Sequence, residues 1–156
     1  MTTGSISHAS ATGIPAPRPG LAGWVAIVFL LLLGIGALAG GFALASKPDG
    51  SVMHFDVALL AGSPFRDYFI PGLILGGLFG VGSFAVATMG LLRRRIAPFL
   101  AFAIGCAQMI WIVVELAIIR ELSFLHPTFF VVGLVIAAAS VRWGWATFRG
   151  FLAATR

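Results

Sequence analysis

Four stretches of this chain are nearly free of charge over the length that a bilayer demands, and that leaves little choice of fold. Leu21 to Ala45 and Pro71 to Leu92 carry no charged residue, Ile96 to Ile119 carries only Glu115, and Ser123 to Val141 carries only a histidine. At a rise of about 1.5 Å per residue, roughly 20 residues cross a hydrocarbon core of about 30 Å. Backbone polar groups in lipid must be satisfied within their own segment, so each stretch reads as a helix. The predicted fold class is all-α: a polytopic membrane protein built as an antiparallel bundle of four transmembrane helices. The spans fall at about 21–45, 71–92, 96–119 and 123–141, within a transmembrane domain covering 21–149. A chain that is 60% hydrophobic and 10% charged cannot hide that much apolar surface as a soluble domain of 156 residues, and it has no room for a separate soluble module.

The charges orient the bundle. Arg18, Arg93, Arg94, Arg95, Arg142, Arg149 and Arg156 fall at one set of span ends, with no acidic residue beside them. Lys47, Arg66 and Arg120 fall at the other, mixed with Asp49, Asp56, Asp67 and Glu121. The excess of positive charge on the cytoplasmic side places both termini in the cytoplasm and the protein in the cell (inner or plasma) membrane. The net charge of +5 does not gather on one face, so nucleic acid is not an expected partner. The lipid bilayer is, with a homo-oligomer or a second membrane protein as further candidates. The Arg93-Arg94-Arg95 triplet is an orientation signal first, although anionic headgroups would also be attracted to it.

Outside the spans the pattern changes. Residues 1–20 are rich in Ser, Thr, Gly, Ala and Pro, lack apolar periodicity and read as a disordered cytoplasmic tail, with a second short tail at 150–156. Ala43-Leu44-Ala45 resembles a signal-peptide cleavage site. The apolar run before it exceeds the about 7–15 residues of a signal h-region, and the expectation is an uncleaved helix. Residues 46–70 form the outer loop, beginning with a turn at Lys47-Pro48-Asp49-Gly50. Val52, Phe55, Leu59 and Leu60 then fit a short amphipathic segment at the membrane surface, and Ser63-Pro64 fits a helix start. Trp24, Trp143 and Trp145 sit where an interfacial aromatic belt belongs.

Glycine is spaced for close helix packing. Gly72, Gly76 and Gly80 recur every four residues and share a face, as do Gly36 and Gly40. Without side chains, backbones approach closely and gain dispersion contacts where lipid offers no hydrophobic drive. The spacing predicts that the first two spans pair through these faces.

The chemistry is sparse. Gln108, Trp111 and Glu115 lie at i, i+3 and i+7 and so share one face of the third span. A carboxylate facing lipid costs a few kcal/mol on insertion scales, so that face should turn into the bundle. It would serve as a proton, ion or ligand site, or simply fix packing as a protonated or hydrogen-bonded group. The loop and the fourth span offer neighbours: His54, Asp56, Arg66, Asp67, Tyr68 and His126. Arg66 is expected to pair with Glu115 or with Asp67, since a buried carboxylate usually finds a cation. His54, Asp56, His126 and Glu115 include zinc-type donors but lack motif spacing, so no metal, cofactor or catalytic residue is assigned. The single cysteine, Cys106, reads as a small core residue. The chain has no Walker, G-x-S-x-G, H-E-x-x-H or C-x-x-C sequence.

Pro48-Asp49-Gly50-Ser51, Ser63-Pro64-Phe65-Arg66-Asp67-Tyr68, Ile70-Pro71-Gly72 and Trp111-Ile112-Val113 together resemble a widespread group of small, uncharacterised four-helix bacterial integral membrane proteins. The resemblance covers roughly residues 21–141 and implies a topology without an activity. The leading expectation is an accessory, structural or small-ligand-binding membrane component, not an enzyme. A small-solute or ion transporter subunit using Glu115 is the alternative, and a membrane enzyme acting on lipid the weaker one.

Overall fold

The computed structural model describes residues 19–119 and 123–145. Among them every regular element is helical, and four helices are long and apolar enough to cross a membrane: Leu21–Ser46, Phe69–Leu91, Ala97–Ile119 and Leu125–Trp143, here the first to fourth helices. The expected tails lie outside the described residues except for Pro19 and Gly20.

Three helix boundaries have a clear local cause. The first helix ends at Lys47, whose extended φ of −133° is what a residue before proline prefers. The second begins where the Asp67 side chain accepts the Phe69 N–H at 2.9 Å, and Pro71 then occupies a first-turn position that needs no donor. Its end is a Schellman turn. The Arg94 N–H reaches back to the Met89 carbonyl and the Arg93 N–H to that of Gly90, with Arg93 left-handed at φ 55°. Glycine usually fills that position, and here the first residue of the basic triplet does.

The second helix is not regular throughout. Leu75–Val81 is π-helical, and the Gly82 N–H donates to the Gly77 carbonyl five residues back. A wider turn shifts the faces that follow it. The buried side runs from Pro71 and Gly72 to Phe79 and Gly80, then to Ser83, Val86, Ala87 and Gly90.

The helices pack as a closed ring. The first touches the second along its length and the fourth, and the third touches the fourth and the second. The core is made of Ile27, Leu30, Leu33, Phe79, Ile104 and Ile136 with many alanines between them. Every helix also turns large apolar side chains outward, among them Leu32, Phe42, Leu73, Val81, Ile110, Val113, Val131 and Leu134. Apolar surface inside and outside is the mark of a bundle meant for lipid.

Two seams have backbone in contact. A Cβ added to Gly41 would stand 2.6 Å from the Gly76 Cα and 2.7 Å from the Gly72 carbonyl oxygen. One added to Gly105 would meet the Gly133 carbonyl oxygen at 2.7 Å and the Ala137 nitrogen at 2.8 Å. The partners of Gly72 and Gly76 therefore centre on Gly41. Gly36 instead faces the Phe129 ring at 3.6 Å, Gly40 meets only the end of Leu75, and Gly80 lies against Leu38.

At the end where the first helix finishes and the second begins, residues 47–68 fold into a cap around Leu44, Leu60 and Tyr68, with Phe55, Phe65 and Ile118 packed on them. A regular amphipathic helix does not form there. The chain makes turns at 48–54 and a single 3-10 turn at Val57–Leu60, while Ser63 and Pro64 lie in a bend ahead of the helix. At the opposite end Trp143 is buried against Gly23, Gly90 and Ile27, so it is a core residue and not part of an interfacial belt. Trp24 and Trp145 are exposed.

Candidate functional site

The cap and the third helix line a half-open pocket of about 50 Å³. Leu44 enters from the first helix, Phe55, Leu60, Phe65 and Tyr68 from the cap, and Pro71 from the second helix. The third helix supplies Trp111, Val114, Glu115, Ile118 and Ile119. Nearly all of this wall is hydrocarbon or aromatic, and Glu115 is its single acidic group among the described residues.

The cap holds its shape through Tyr68. Its ring is 3% exposed, its O–H donates to the Asp56 carbonyl at 2.9 Å, and its N–H donates to the Pro48 carbonyl at 2.9 Å. The Phe55 ring tilts against it with centroids 5.8 Å apart. Gly50 sits beneath at φ 77°, where a Cβ would strike the Phe55 carbonyl and come 3.0 Å from the Tyr68 ring. Burial, and next the charge of Asp56, raises the Tyr68 phenol above its ordinary value of 10.0.

The loop carboxylates are occupied by local backbone. Asp49 accepts the Ser51 N–H at 3.0 Å, Asp56 the Ala58 N–H at 2.8 Å and Asp67 the Phe69 N–H at 2.9 Å. Each holds the chain two residues ahead, which is what Asp does in turns. That bond to Ser51 holds the Asp49 carboxyl below its ordinary 3.8. These three aspartates account for the loop's conformation and do not converge on the pocket. His54 is exposed in a left-handed turn at φ 56°. Arg66 is exposed and absent from the Glu115 lining, so the expected Arg66–Glu115 pair is not assembled. Arg120 and Glu121 lie outside the described residues.

The face Gln108, Trp111, Glu115 does turn inward at its lower end. Gln108 is 2% exposed, and its Oε1 is buried without a hydrogen-bond partner. Trp111 packs its ring on Phe79 at 5.9 Å, and its indole N–H is also buried without a partner. Glu115, half-buried, is near enough to Trp111 and His126 to interact with both electrostatically, but the indole N–H lacks the geometry of a formed bond to it. His126 is buried at the start of the fourth helix, where its Nδ1 accepts the Ser123 N–H at 3.0 Å. That bond ties the ring to the backbone just ahead of the helix, a role its position in the sequence did not announce. Among the described residues no three His, Cys, Asp or Glu side chains come together as a metal site, so His54, Asp56, His126 and Glu115 do not form one.

What sequence reasoning missed is mostly apolar. Phe55, Leu60 and Phe65 line the pocket, and Gly41, Gly105 and Gly133 make the close seams. The pairs Ala101 with Gly105 and Gly133 with Ala137, each four apart, carried the same small-residue signal as Gly72 with Gly76. No family model, curated protein or solved structure matches the chain.

Proposed function

We propose that the chain is a multi-pass integral membrane protein whose working part is a small-ligand pocket under the cap, with its four helices acting as an antiparallel scaffold. One observation carries this reading: the pocket is apolar and aromatic yet includes Glu115, a pairing typical of small-molecule sites, where hydrocarbon walls give affinity and one polar group gives orientation. The enzymatic readings gain no support from the loop, whose carboxylates are spent on turns. An accessory role in a larger membrane assembly is compatible with the same pocket.

Antiparallel order is supported by contacts that run in opposite chain directions. Gly34 lies by Phe84, Leu38 by Gly80 and Gly41 by Gly72, while Gly105 lies by Ala137 and Met109 by Gly133. The exposed Arg93, Arg94, Arg95 and Arg142 favour a cytoplasmic location for the end holding Trp143, and hence for both termini. The cap and pocket then face outward. In a Cys106→Ala background, an impermeant maleimide should label Ser51→Cys in intact cells and label Arg94→Cys only after lysis. Labelling of both before lysis would overturn this topology.

Occupancy is tested by filling the pocket. Native mass spectrometry of the protein extracted from its own membrane should show a small-molecule adduct that Val114→Trp lacks. Identical spectra for the two chains would leave the bundle as a packing component only.

A further inference from the structure

We infer that the occupant of this pocket is a small methylated ammonium ion, either free or as the headgroup of a lipid; this deepens the ligand-binding reading and rests on it. The lining combines four aromatic side chains, Phe55, Phe65, Tyr68 and Trp111, with one carboxylate, Glu115. No lysine or arginine joins them among the described residues, so the walls are soft and Glu115 supplies the carboxyl group. Ring faces attract cations through their quadrupole, and the attraction grows when water is excluded, which is why aromatic cages hold quaternary ammonium groups.

Other cations fit less well. Calcium or magnesium requires about six oxygen ligands, and transition metals require several nitrogen, sulfur or oxygen donors. Glu115 stands alone here, since Asp49, Asp56 and Asp67 are turned to backbone N–H groups and no metal-type cluster forms among the described residues. A primary ammonium carries three N–H donors that all need acceptors once buried. The lining offers the Glu115 side chain, while the Tyr68 O–H is committed to the Asp56 carbonyl. A methylated nitrogen has no such demand, and its methyl groups match the walls contributed by Leu44, Leu60 and Ile118. The size agrees. A pocket of about 50 Å³ has room for roughly four water-sized groups, close to the methyl shell of such an ion.

Calorimetric titration of the full chain, in nanodiscs of phosphatidylglycerol, separates the cases. The probes are choline, tetramethylammonium and 3,3-dimethylbutan-1-ol, the neutral carbon isostere of choline. Choline and tetramethylammonium should bind, with the neutral isostere weaker by at least about tenfold. Glu115→Gln keeps the shape of the side chain and should remove most of that difference while the melting curve stays in place. Trp111→Leu should weaken both cations without affecting their ratio to each other by more than about threefold. Equal binding of the isostere and choline, unchanged in Glu115→Gln, would overturn the ammonium inference and leave the pocket reading standing. Absence of binding by all three probes, with Val114→Trp indistinguishable from the parent, would sink both. Nanodiscs of phosphatidylcholine then identify the source: loss of free-choline binding there marks the lipid headgroup as occupant, and its persistence marks a soluble ammonium compound.

Discussion

Gly41→Val should separate the first two helices and lower bundle stability by about 3 kcal/mol or more. Overpacking a tight core costs roughly 1–3 kcal/mol when side chains can give way, and more when they cannot. At Gly41 the obstructing atoms are backbone, the Gly76 Cα and the Gly72 carbonyl oxygen, so relief requires a whole helix to move. The neighbouring glycines provide controls. Gly36→Ala places its methyl 3.6 Å from the Phe129 ring, an ordinary contact, and Gly77→Ala meets nothing within 4 Å. Both sit in helices, where alanine is favoured over glycine by about 1 kcal/mol, and both should be neutral or stabilising. Even Gly76→Ala should be mild, since its own Cβ would clear Gly41 by 3.6 Å. Thermal melting in a mild detergent reads all four variants. A parental midpoint for Gly41→Val would mean that the first two helices do not touch there.

Tyr68→Ala should open the cap and abolish ligand retention while the four helices persist. Deleting a buried aromatic ring costs about 3–5 kcal/mol, and here it also leaves the Asp56 carbonyl without its donor and the Phe55 ring without its neighbour. Hydrogen exchange should then rise across residues 48–68 and change little in the third and fourth helices. Tyr68→Phe removes only the hydroxyl and should cost about 1 kcal/mol. The raised phenol pKa adds a pH signature. The folded cap binds the proton more tightly than the open one, so the stabilisation is fully present below the unfolded value of 10.0 and is lost as pH climbs through the higher folded value. In Tyr68→Phe that alkaline opening step should vanish. An identical alkaline profile in both chains would show that Tyr68 does not hold the cap.

The sequence by itself determined the four apolar helices, because the length of an uncharged run is a one-dimensional property and lipid permits such a run only one backbone solution. It also determined where most helices stop, at Lys47 before Pro48 and after Leu91 at the basic triplet, since proline, caps and charge act over a few residues. Tertiary structure decided which faces meet. Gly36, Gly40 and Gly41 are nearly adjacent, and helical period alone cannot say which one the partner approaches; the π-helical turn at Leu75–Val81 shifts the partner's own faces as well. It also decided the fate of the polar residues. Asp56 and Asp67 read as possible neighbours of Glu115, but a backbone N–H two residues away is a nearer donor than any side chain across the bundle, and Asp49 is engaged in the same way. Glu115 was legible as the unusual residue of the third helix. Its surroundings were legible only in part: Tyr68 and His126 stood out as possible neighbours, but Phe55, Leu60 and Phe65 reach it only through the turns of a cap whose path depends on Gly50 and on one tyrosine hydroxyl.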